Sequence, residues 1–302
     1  MVTEKLSFGK HQTFAFKATW IPKVLEFFDK DSDGVYYSKI LSEYDAKYKL
    51  GLGTNMVGSL KYWLQVLNIT KDNRSGGRLL TDFGAMLKEK DPYLENKSSL
   101  FLLHKYLVQS FDNATAWFYF FNEYRPKKFT REDFFKRLKT WLIKNYPNYN
   151  IADNTLIKDV NCFIQVYSNK DNKETPEDGT YCPLSELNFI TPISEKEFKY
   201  NWLGVNDINP LLLLFVIIEL LIENNSTYQN NEIEVTSLVN DNKNIGKLFH
   251  LTSFEIIPLL SELVKEYSDL GVKFIKTAGL NYLKLNNNLS ELRLMVLGKI
   301  YE

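Results

Sequence analysis

The sequence predicts a mainly α-helical protein with small β-hairpins, organised as tandem winged-helix or helix-turn-helix-like modules. Stretches with apolar residues at helical spacing are followed by short hairpin patterns, in which a polar turn separates two strands. This order is clearest in residues 1–90, recurs in outline in residues 91–190, and returns in residues 191–302. Three helices followed by a hairpin is the order of a winged helix, whose third helix enters the major groove of DNA.

Composition places the chain among ordinary globular proteins. Of its 302 residues, 44% are hydrophobic and 25% are charged, and the formal net charge is zero, which excludes a disordered chain. No signal peptide is predicted, and the longest apolar run, Leu211–Ile218, is shorter than the ~20 residues of a membrane span. Two cysteines without metal-binding spacing predict a cytoplasmic protein that makes no membrane contact.

The predicted N-terminal winged-helix-like domain comprises residues 1–90. Its predicted elements are helices at 21–28, 38–46 and 55–67, and strands at 69–71 and 78–81. On the third helix Met56, Leu60 and Leu64 share one face, which leaves the other side for DNA.

An acidic segment, Asp29–Gly34, separates the first two predicted helices. Its carboxylates occupy the first three ligand positions of an EF-hand loop, but Ile40 stands where the loop requires a bidentate glutamate. A solvated loop is therefore expected.

Residues 91–190 form a predicted helical domain with a second helix-turn-helix-like unit. Helices are expected at 98–110, 113–124 and 130–144, and a last helix is expected to begin at Asp153 or Asn154. That last helix is expected to present Thr155, Lys158, Asp159 and Cys162 outward. The polar segment 169–179 is expected to be the least ordered stretch.

Residues 191–302 form the predicted C-terminal helical, winged-helix-like domain. Asn209 and Pro210 begin a buried helix that extends to residue 222, and a capping box begins another helix at Thr252. A hairpin with strands at 272–276 and 282–285, joined through Ala278 and Gly279, follows.

The segment Phe8–Phe14 is dense in groups that bind phosphate or transfer protons. Histidine as a residue type changes charge near neutral pH, which makes His11 a candidate acid, base or metal ligand. The alternative is that His11 and Gln12 only hydrogen-bond the backbone of a segment packed by its phenylalanines.

Binding candidates lie on the predicted helices. Lys61 and Tyr62 on the third helix suit phosphate or base-edge contacts, and Asn55 begins that helix after a glycine-rich turn that could receive a phosphate. The stretch Arg125–Lys144 holds eight basic and two acidic residues, which indicates either a phosphate-binding surface or a solvated helix face. The chain lacks the phosphate-loop, dinucleotide and Gly-x-Ser-x-Gly motifs, which disfavours nucleotide hydrolysis and serine hydrolase chemistry.

Several phrases together resemble one bacterial family, the SspB-like proteins, long described only by a domain of unknown function. The resemblance spans roughly residues 6–285. It is carried by Phe8-Gly-Lys-His-Gln-Thr-Phe14, Leu50-Gly-Leu-Gly-Thr-Asn-Met-Val57, Tyr62-Trp63-Leu64, Asp91-Pro-Tyr-Leu94, Thr115-Ala-Trp-Phe118, Phe121-Asn-Glu123, Phe129-Thr-Arg-Glu132, Asn154-Thr-Leu156, Lys158-Asp-Val160, Cys182-Pro-Leu184 and Glu186-Leu187.

The resemblance implies a DNA nickase that acts in DNA phosphorothioation, an antiphage modification in which sulfur replaces a non-bridging oxygen of the backbone. It also implies DNA, a cysteine desulfurase and ATP-dependent sulfur-transfer proteins as partners. Phosphodiester hydrolysis generally needs cations and a base, so a divalent metal, Mg²⁺ or Mn²⁺, is expected as cofactor. His11 is then the predicted acid or base and Glu123 the predicted metal-coordinating carboxylate. The predicted DNA-binding residues are Lys10, Gln12, Lys23, Asn55, Lys61, Tyr62, Arg131 and Lys158.

Two other functions remain open from the sequence. The absence of a nuclease motif favours a non-catalytic DNA-binding adaptor that recruits sulfur-transfer enzymes. Winged-helix folds also bind proteins, so a scaffold without DNA contact is the third possibility.

Overall fold

The computed structural model describes residues 5–42, 44, 46–168, 181–204, 207–277, 280–285 and 288–302. The protein is mainly helical with three small antiparallel sheets, which confirms the predicted fold class at this level. The chain divides into two compact units, Met1–Asn201 and Trp202–Glu302. The finer division at residues 90 and 190 remains a prediction.

The first part of the chain builds a four-stranded sheet with short helices. Its elements are α1 (Trp20–Leu25), β1 (Asp29–Lys30), β2 (Tyr36–Ser38), α2 (Ala46–Lys49), α3 (Thr54–Val66), β3 (Thr70–Asp72), β4 (Arg78–Leu80) and α4 (Asp82–Lys90). The prediction of a helix at 38–46 is wrong: Ser38 ends a strand, Ile40–Ser42 form a single 3₁₀ turn, and α2 begins at Ala46. Pairing of Ser38 with Arg78 of β4 supplies sheet contacts that override the local helical pattern.

The acidic segment is the turn of a hairpin and not an open loop between helices. Its first two residues form β1, which pairs antiparallel with β2 across the turn. Asp31 Oδ1 accepts the backbone N–H groups of Asp33 and Val35, at 3.0 and 2.9 Å. This Asx-type bonding commits the Asp31 carboxylate to the turn.

The middle of the chain is predominantly helical. Its elements are α5 (Lys97–Gln109), α6 (Thr115–Tyr119), β5 (Lys128–Thr130), α7 (Arg131–Asn145), α8 (Asp153–Tyr167), β6 (Ile190–Pro192) and β7 (Glu197–Tyr200). The helix predicted at 113–124 begins at Thr115 and changes after Tyr119 into a π-helical turn, Phe120–Tyr124. The polar segment 169–179 lies outside the described residues. The sheet formed by β5, β6 and β7 was not predicted, because its strands have only three or four residues each.

In the second unit, Trp202–Glu302, other helices pack around one strongly apolar helix. Its elements are α9 (Pro210–Glu223), β8 (Glu232–Glu234), α10 (Val235–Asn240), α11 (Ile245–Leu248), α12 (Ser253–Glu266), β9 (Val272–Thr277), β10 (Leu280–Leu285) and α13 (Leu289–Lys299). The predicted hairpin and both predicted helix caps, Asn209 and Thr252, are confirmed; Ala278 and Gly279 lie outside the described residues. Every residue from Leu211 to Leu221 is buried, as expected of a helix that is apolar on all sides. No helix in the described ranges has both the length and the apolar character to cross a membrane.

All three sheets contain three strands in the same order, and the first sheet has β1 as an additional edge strand. In each, the last strand of the hairpin lies between the hairpin's first strand and a strand from earlier in the chain: β2-β4-β3, β5-β7-β6 and β8-β10-β9. In the described part of the chain, α-helices lie between that earlier strand and the hairpin. The last α-helix before each hairpin is α3 for β3–β4, α8 for β6–β7 and α12 for β9–β10.

Candidate nucleic-acid interface

The segment Gly9–Thr13, called here the N-terminal loop, is anchored by a buried pair of side chains. Nε2 of His11 lies 2.9 Å from Oδ1 of Asp159 on α8, and both side chains are almost completely buried, with exposed fractions of 1% and 2%. The backbone N–H of Gly9 donates to the same oxygen at 2.7 Å. The prediction that Asp159 and Cys162 lie on the outward face of this helix is wrong, because both are buried.

Hydrogen bonds assign the tautomer of His11. The N–H of Thr13 donates to Nδ1 at 3.0 Å, so the ring proton is on Nε2 and is donated to the Asp159 carboxylate. Burial raises the pKa of Asp159, and the hydrogen bonds from His11 and Gly9 only partly offset this effect. Both ring nitrogens are therefore occupied within the chain.

The N-terminal loop has an unusual backbone. Gly9, Gln12 and Thr13 have φ values of 70°, 52° and 68°, and the left-handed region is disfavoured for a β-branched residue such as threonine. Non-glycine residues in this region, here Gln12 and Thr13, cost on the order of 1–3 kcal/mol each and persist only where the surroundings enforce them. Enforced backbone of this kind is concentrated at functional sites.

Side chains of α3 hold the other side of the N-terminal loop. The Ser59 hydroxyl donates to the carbonyl oxygen of His11 at 2.9 Å, and Trp63 Nε1 donates to the carbonyl of Phe14 at 2.8 Å. A Cβ placed on Gly9 would lie 3.1 Å from Cγ2 of Thr155 on α8. The loop thus joins α3 to α8.

Aromatic rings surround the His11 ring. Its centroid lies 5.8 Å from that of Trp117 and 6.4 Å from that of Tyr62, and both pairs meet edge to face. The Tyr62 hydroxyl donates to the carbonyl of Asn113 at 3.1 Å, and burial, followed by the nearby Asp159, raises its pKa well above the ordinary value. Tyr62 is half-buried and packs against His11, and its contact with DNA stays a prediction.

Four of the predicted DNA-binding residues are exposed on the N-terminal loop or on the two helices that it joins. Lys10 and Gln12 project from the N-terminal loop, Asn55 lies in the first turn of α3, and Lys158 precedes Asp159 on α8; all four are exposed. A Cβ placed on Gly58 would lie 4.0 Å from Cγ of Gln12, so the loop lies directly over α3. The N-cap of α3 is Gly53, which offers no capping side chain, and no acidic residue lies in the first turn. The first N–H groups of this helix are thus suited to an anion.

The remaining predicted site residues lie on other elements. Lys23 is exposed in α1, and Lys61 is half-buried on α3. The Arg131 guanidinium lies over the Phe198 ring, with Cζ 5.0 Å from the ring centroid. Glu123 is exposed in the π-helical turn. Their predicted roles stay predictions.

The basic stretch Arg125–Lys144 does not form one continuous cationic face. Lys136 pairs with Glu132 at 2.6 Å, and Lys139 pairs with Asp153 at 2.8 Å. These two charges are partly neutralised. Lys128 is exposed on β5, directly opposite Lys199 of β7.

The described residues offer neither a ready metal site nor a reactive thiol. Within those ranges no three His, Cys, Asp or Glu side chains cluster closely enough to hold an ion, so a bound Mg²⁺ would depend largely on water and phosphate oxygens. Cys162 and Cys182 are buried, and burial raises the pKa of both thiols. Such thiols react slowly, so neither suits sulfur transfer.

The residues that sequence reasoning missed are those that hold the loop, above all Asp159 and Ser59. A signal for Asp159 was present: it lies three residues after Leu156 and four before Phe163, within the apolar stripe of α8. Because Asp159 is charged, it was predicted to lie on the outward face of the helix.

Comparison with known proteins identifies the family and the fold. The family model described as "Protein of unknown function (DUF4007)" matches residues 8–301. A crystal structure of magnesium ion-bound SspB has a TM-score of 0.82 and 21% sequence identity, and a second SspB crystal structure has a TM-score of 0.81 and 22% identity. Each similarity covers 98% of this chain and 88% of the other chain. No curated protein matches the chain. The chain therefore belongs to the DUF4007 family and has the fold seen in SspB, as the resemblance predicted.

Proposed function

We propose that this protein binds duplex DNA and cuts one of its strands during DNA phosphorothioation for defence against phage. The observation that carries the DNA-binding part is the N-terminal loop. Its strained backbone is held by buried bonds to α3 and α8, while Lys10 and Gln12 remain exposed beside Asn55 and Lys158. The phosphorothioation part is supported by the fold shared with SspB.

The three sheets support a repeated DNA-binding design. A winged helix is expected to contain a strand, then helices, then a hairpin whose last strand lies in the centre of the sheet. All three sheets have this arrangement, and we propose that each belongs to a winged-helix module. In this interpretation α3 and α8 are the helices that approach DNA in the first unit. Because the N-terminal loop is bonded to both, it fixes their exposed residues on one surface.

His11 has a positioning role in this proposal. With both nitrogens hydrogen-bonded and the ring buried, it holds the loop so that Lys10 and Gln12 meet the phosphates. Direct acid–base action of His11 would require one of these bonds to open, and that role remains a hypothesis, as does metal binding by Glu123. A divalent ion is a proposed requirement for nicking, because a magnesium-bound SspB is known.

A supercoiled-plasmid assay tests the function. Wild-type protein is expected to convert supercoiled plasmid to open circles with Mg²⁺ or Mn²⁺ but not with EDTA. His11→Ala should weaken DNA binding and nicking together if His11 only positions the loop, whereas an acid or base would lose nicking with binding retained. Plasmid that is neither nicked nor retarded in a gel would refute the proposal.

The second candidate function is a non-catalytic adaptor that brings the cysteine desulfurase and ATP-dependent sulfur-transfer proteins to DNA. The burial of His11 and the lack of a metal-ligand cluster in the described ranges favour it. Plasmid that is retarded but stays intact under every metal condition would establish the adaptor over the nickase.

A further inference from the structure

We infer that α8 reads base sequence in the major groove through Asn161 and Gln165, with adenine as the base that they recognise. This inference rests on the proposed DNA binding and adds specificity to it. Neither amide was among the predicted DNA-binding residues.

The first observation is a polar stripe along α8. Asn154, Lys158, Asn161 and Gln165 follow one another at intervals of four, three and four residues, which places them on one helix face. All four are exposed, and none of their side chains makes a hydrogen bond or ion pair with another described residue. The opposite face is buried, so the stripe cannot turn inward.

The second observation is a small cavity, lined mostly by polar residues, at the C-terminal half of this stripe. It has a volume of about 280 Å³ and is lined by Arg131, Asn161, Ile164, Gln165 and Ser168. It is smaller than the pockets that enclose whole ligands. Its size and its donors suit a single group, such as the edge of one base.

The Arg131 guanidinium is fixed beside the amides and has no acidic partner. It lies over the ring of Phe198, 5.0 Å from the centroid, and forms no ion pair with any residue in the described ranges. An arginine oriented by an aromatic ring while its charge remains uncompensated is suited to a phosphate or a guanine edge. Arg131 thus provides a cation next to Asn161 and Gln165 that would anchor α8 against DNA.

The chemistry of the amides identifies the base. Asn and Gln side chains pair bidentately with N6 and N7 of adenine, because each offers one donor and one acceptor in the spacing of that edge. On the same face Ile157 is exposed by 40%, and an apolar group of this kind contacts the methyl group of thymine. A sequence that contains A·T pairs is therefore expected.

The corresponding helix of the second unit shows that this pattern is not a general feature of the chain. The outward face of α12 carries Phe254, Pro258 and Glu262, all exposed. It has no amide, and the carboxylate of Glu262 would be repelled by phosphates. Base reading is thus assigned to α8 and not to α12.

Selection from a pool of duplexes with randomised sequence tests the inference. The wild type is compared with a double variant, Asn161→Ala with Gln165→Ala, and with Lys158→Gln as the matched control on the same helix face. All three positions are exposed, so thermal unfolding should be unchanged, and this is measured first.

The wild type is expected to enrich adenine-containing sequences by roughly 5- to 150-fold for each adenine that is read. The double variant should lose this enrichment and still bind DNA. Lys158→Gln should keep the enrichment, bind all sequences more weakly, and reduce the slope of log K against log salt by about 0.9.

Two results would overturn base reading while DNA binding stands: a wild type that binds without adenine preference, or a double variant with an unchanged preference. A wild type that retains no duplex overturns the proposed function and this inference with it.

Discussion

The buried acceptor Asp159 offers the sharpest test of how the N-terminal loop is held. Its Oδ1 accepts the Nε2–H of His11 at 2.9 Å and the N–H of Gly9 at 2.7 Å. Asp159→Ala leaves the buried Nε2–H of His11 and the part-buried N–H of Gly9 without an acceptor. A buried unpaired donor costs about 1–3 kcal/mol, so the free energy of unfolding should fall by roughly 2–6 kcal/mol, a range that includes the 3–5 kcal/mol typical of a broken buried pair.

Asp159→Asn is the matched control. The amide oxygen can accept both hydrogen bonds, while the charge that burial penalises is removed, so the loss should be about 1 kcal/mol or less. Because the folded-state pKa of Asp159 is raised, the folded protein holds a proton there at pH values where the unfolded chain has released it. Wild-type stability relative to the asparagine variant should therefore fall as pH rises from the ordinary aspartate value, about 3.9, through the raised one.

Urea unfolding followed by tryptophan fluorescence measures both effects. Four of the five tryptophans lie in Met1–Asn201, and Trp117 contacts His11 directly, so the signal reports this unit. DNA affinity of the alanine variant should fall as well, because the loop that presents Lys10 is released. An Asp159→Ala variant that loses less than about 1 kcal/mol, or a wild-type-minus-asparagine difference that grows with pH, would refute the reasoning.

Three further variants test separate features by thermal unfolding. Thr13→Gly should stabilise the protein by up to about 1 kcal/mol, because glycine accepts the left-handed backbone at Thr13 without strain; destabilisation would show that the threonine side chain has a structural role. Gly84→Ala should cost more than about 3 kcal/mol, since its Cβ would lie 2.0 Å from the carbonyl oxygen of Ile69, and a folded variant of wild-type stability would contradict that close contact. Lys199→Thr should stabilise the sheet by about 0.2–1 kcal/mol at low salt, because Lys128 lies directly opposite, and the gain should disappear at high salt.

Local sequence signals were reliable where an element carries its own determinants. The capping box at Thr252 was predicted from a short sequence pattern, and it forms as predicted. The apolar helix after Asn209 could be predicted equally well, because a helix that is apolar on all sides must be buried. The segment at 38–46 misled because strand pairing with Arg78, from a distant part of the chain, decides its conformation.

The sequence predicted only part of the candidate site. The composition of the segment Phe8–Phe14 marked it as a candidate, and Lys10, Gln12, Asn55 and Lys158 are all exposed, but their contact with DNA stays a prediction. The acceptor that holds this segment lies 148 residues away from His11 in the chain, and nothing in local spacing indicates such a partner. A charged residue on a helix is usually solvated, which is why Asp159 was placed on the wrong face.

By itself the sequence determined the fold class, the helix caps, the family resemblance and the chemical character of the N-terminal segment, because each depends on neighbouring residues or on motifs read in order. Only the tertiary structure decided that His11 is buried, that its ring proton is on Nε2, and that α3 and α8 are joined through one loop. Burial and hydrogen-bond partners depend on which distant segments meet. Packing settles that question, since a buried donor must find an acceptor wherever in the chain it lies.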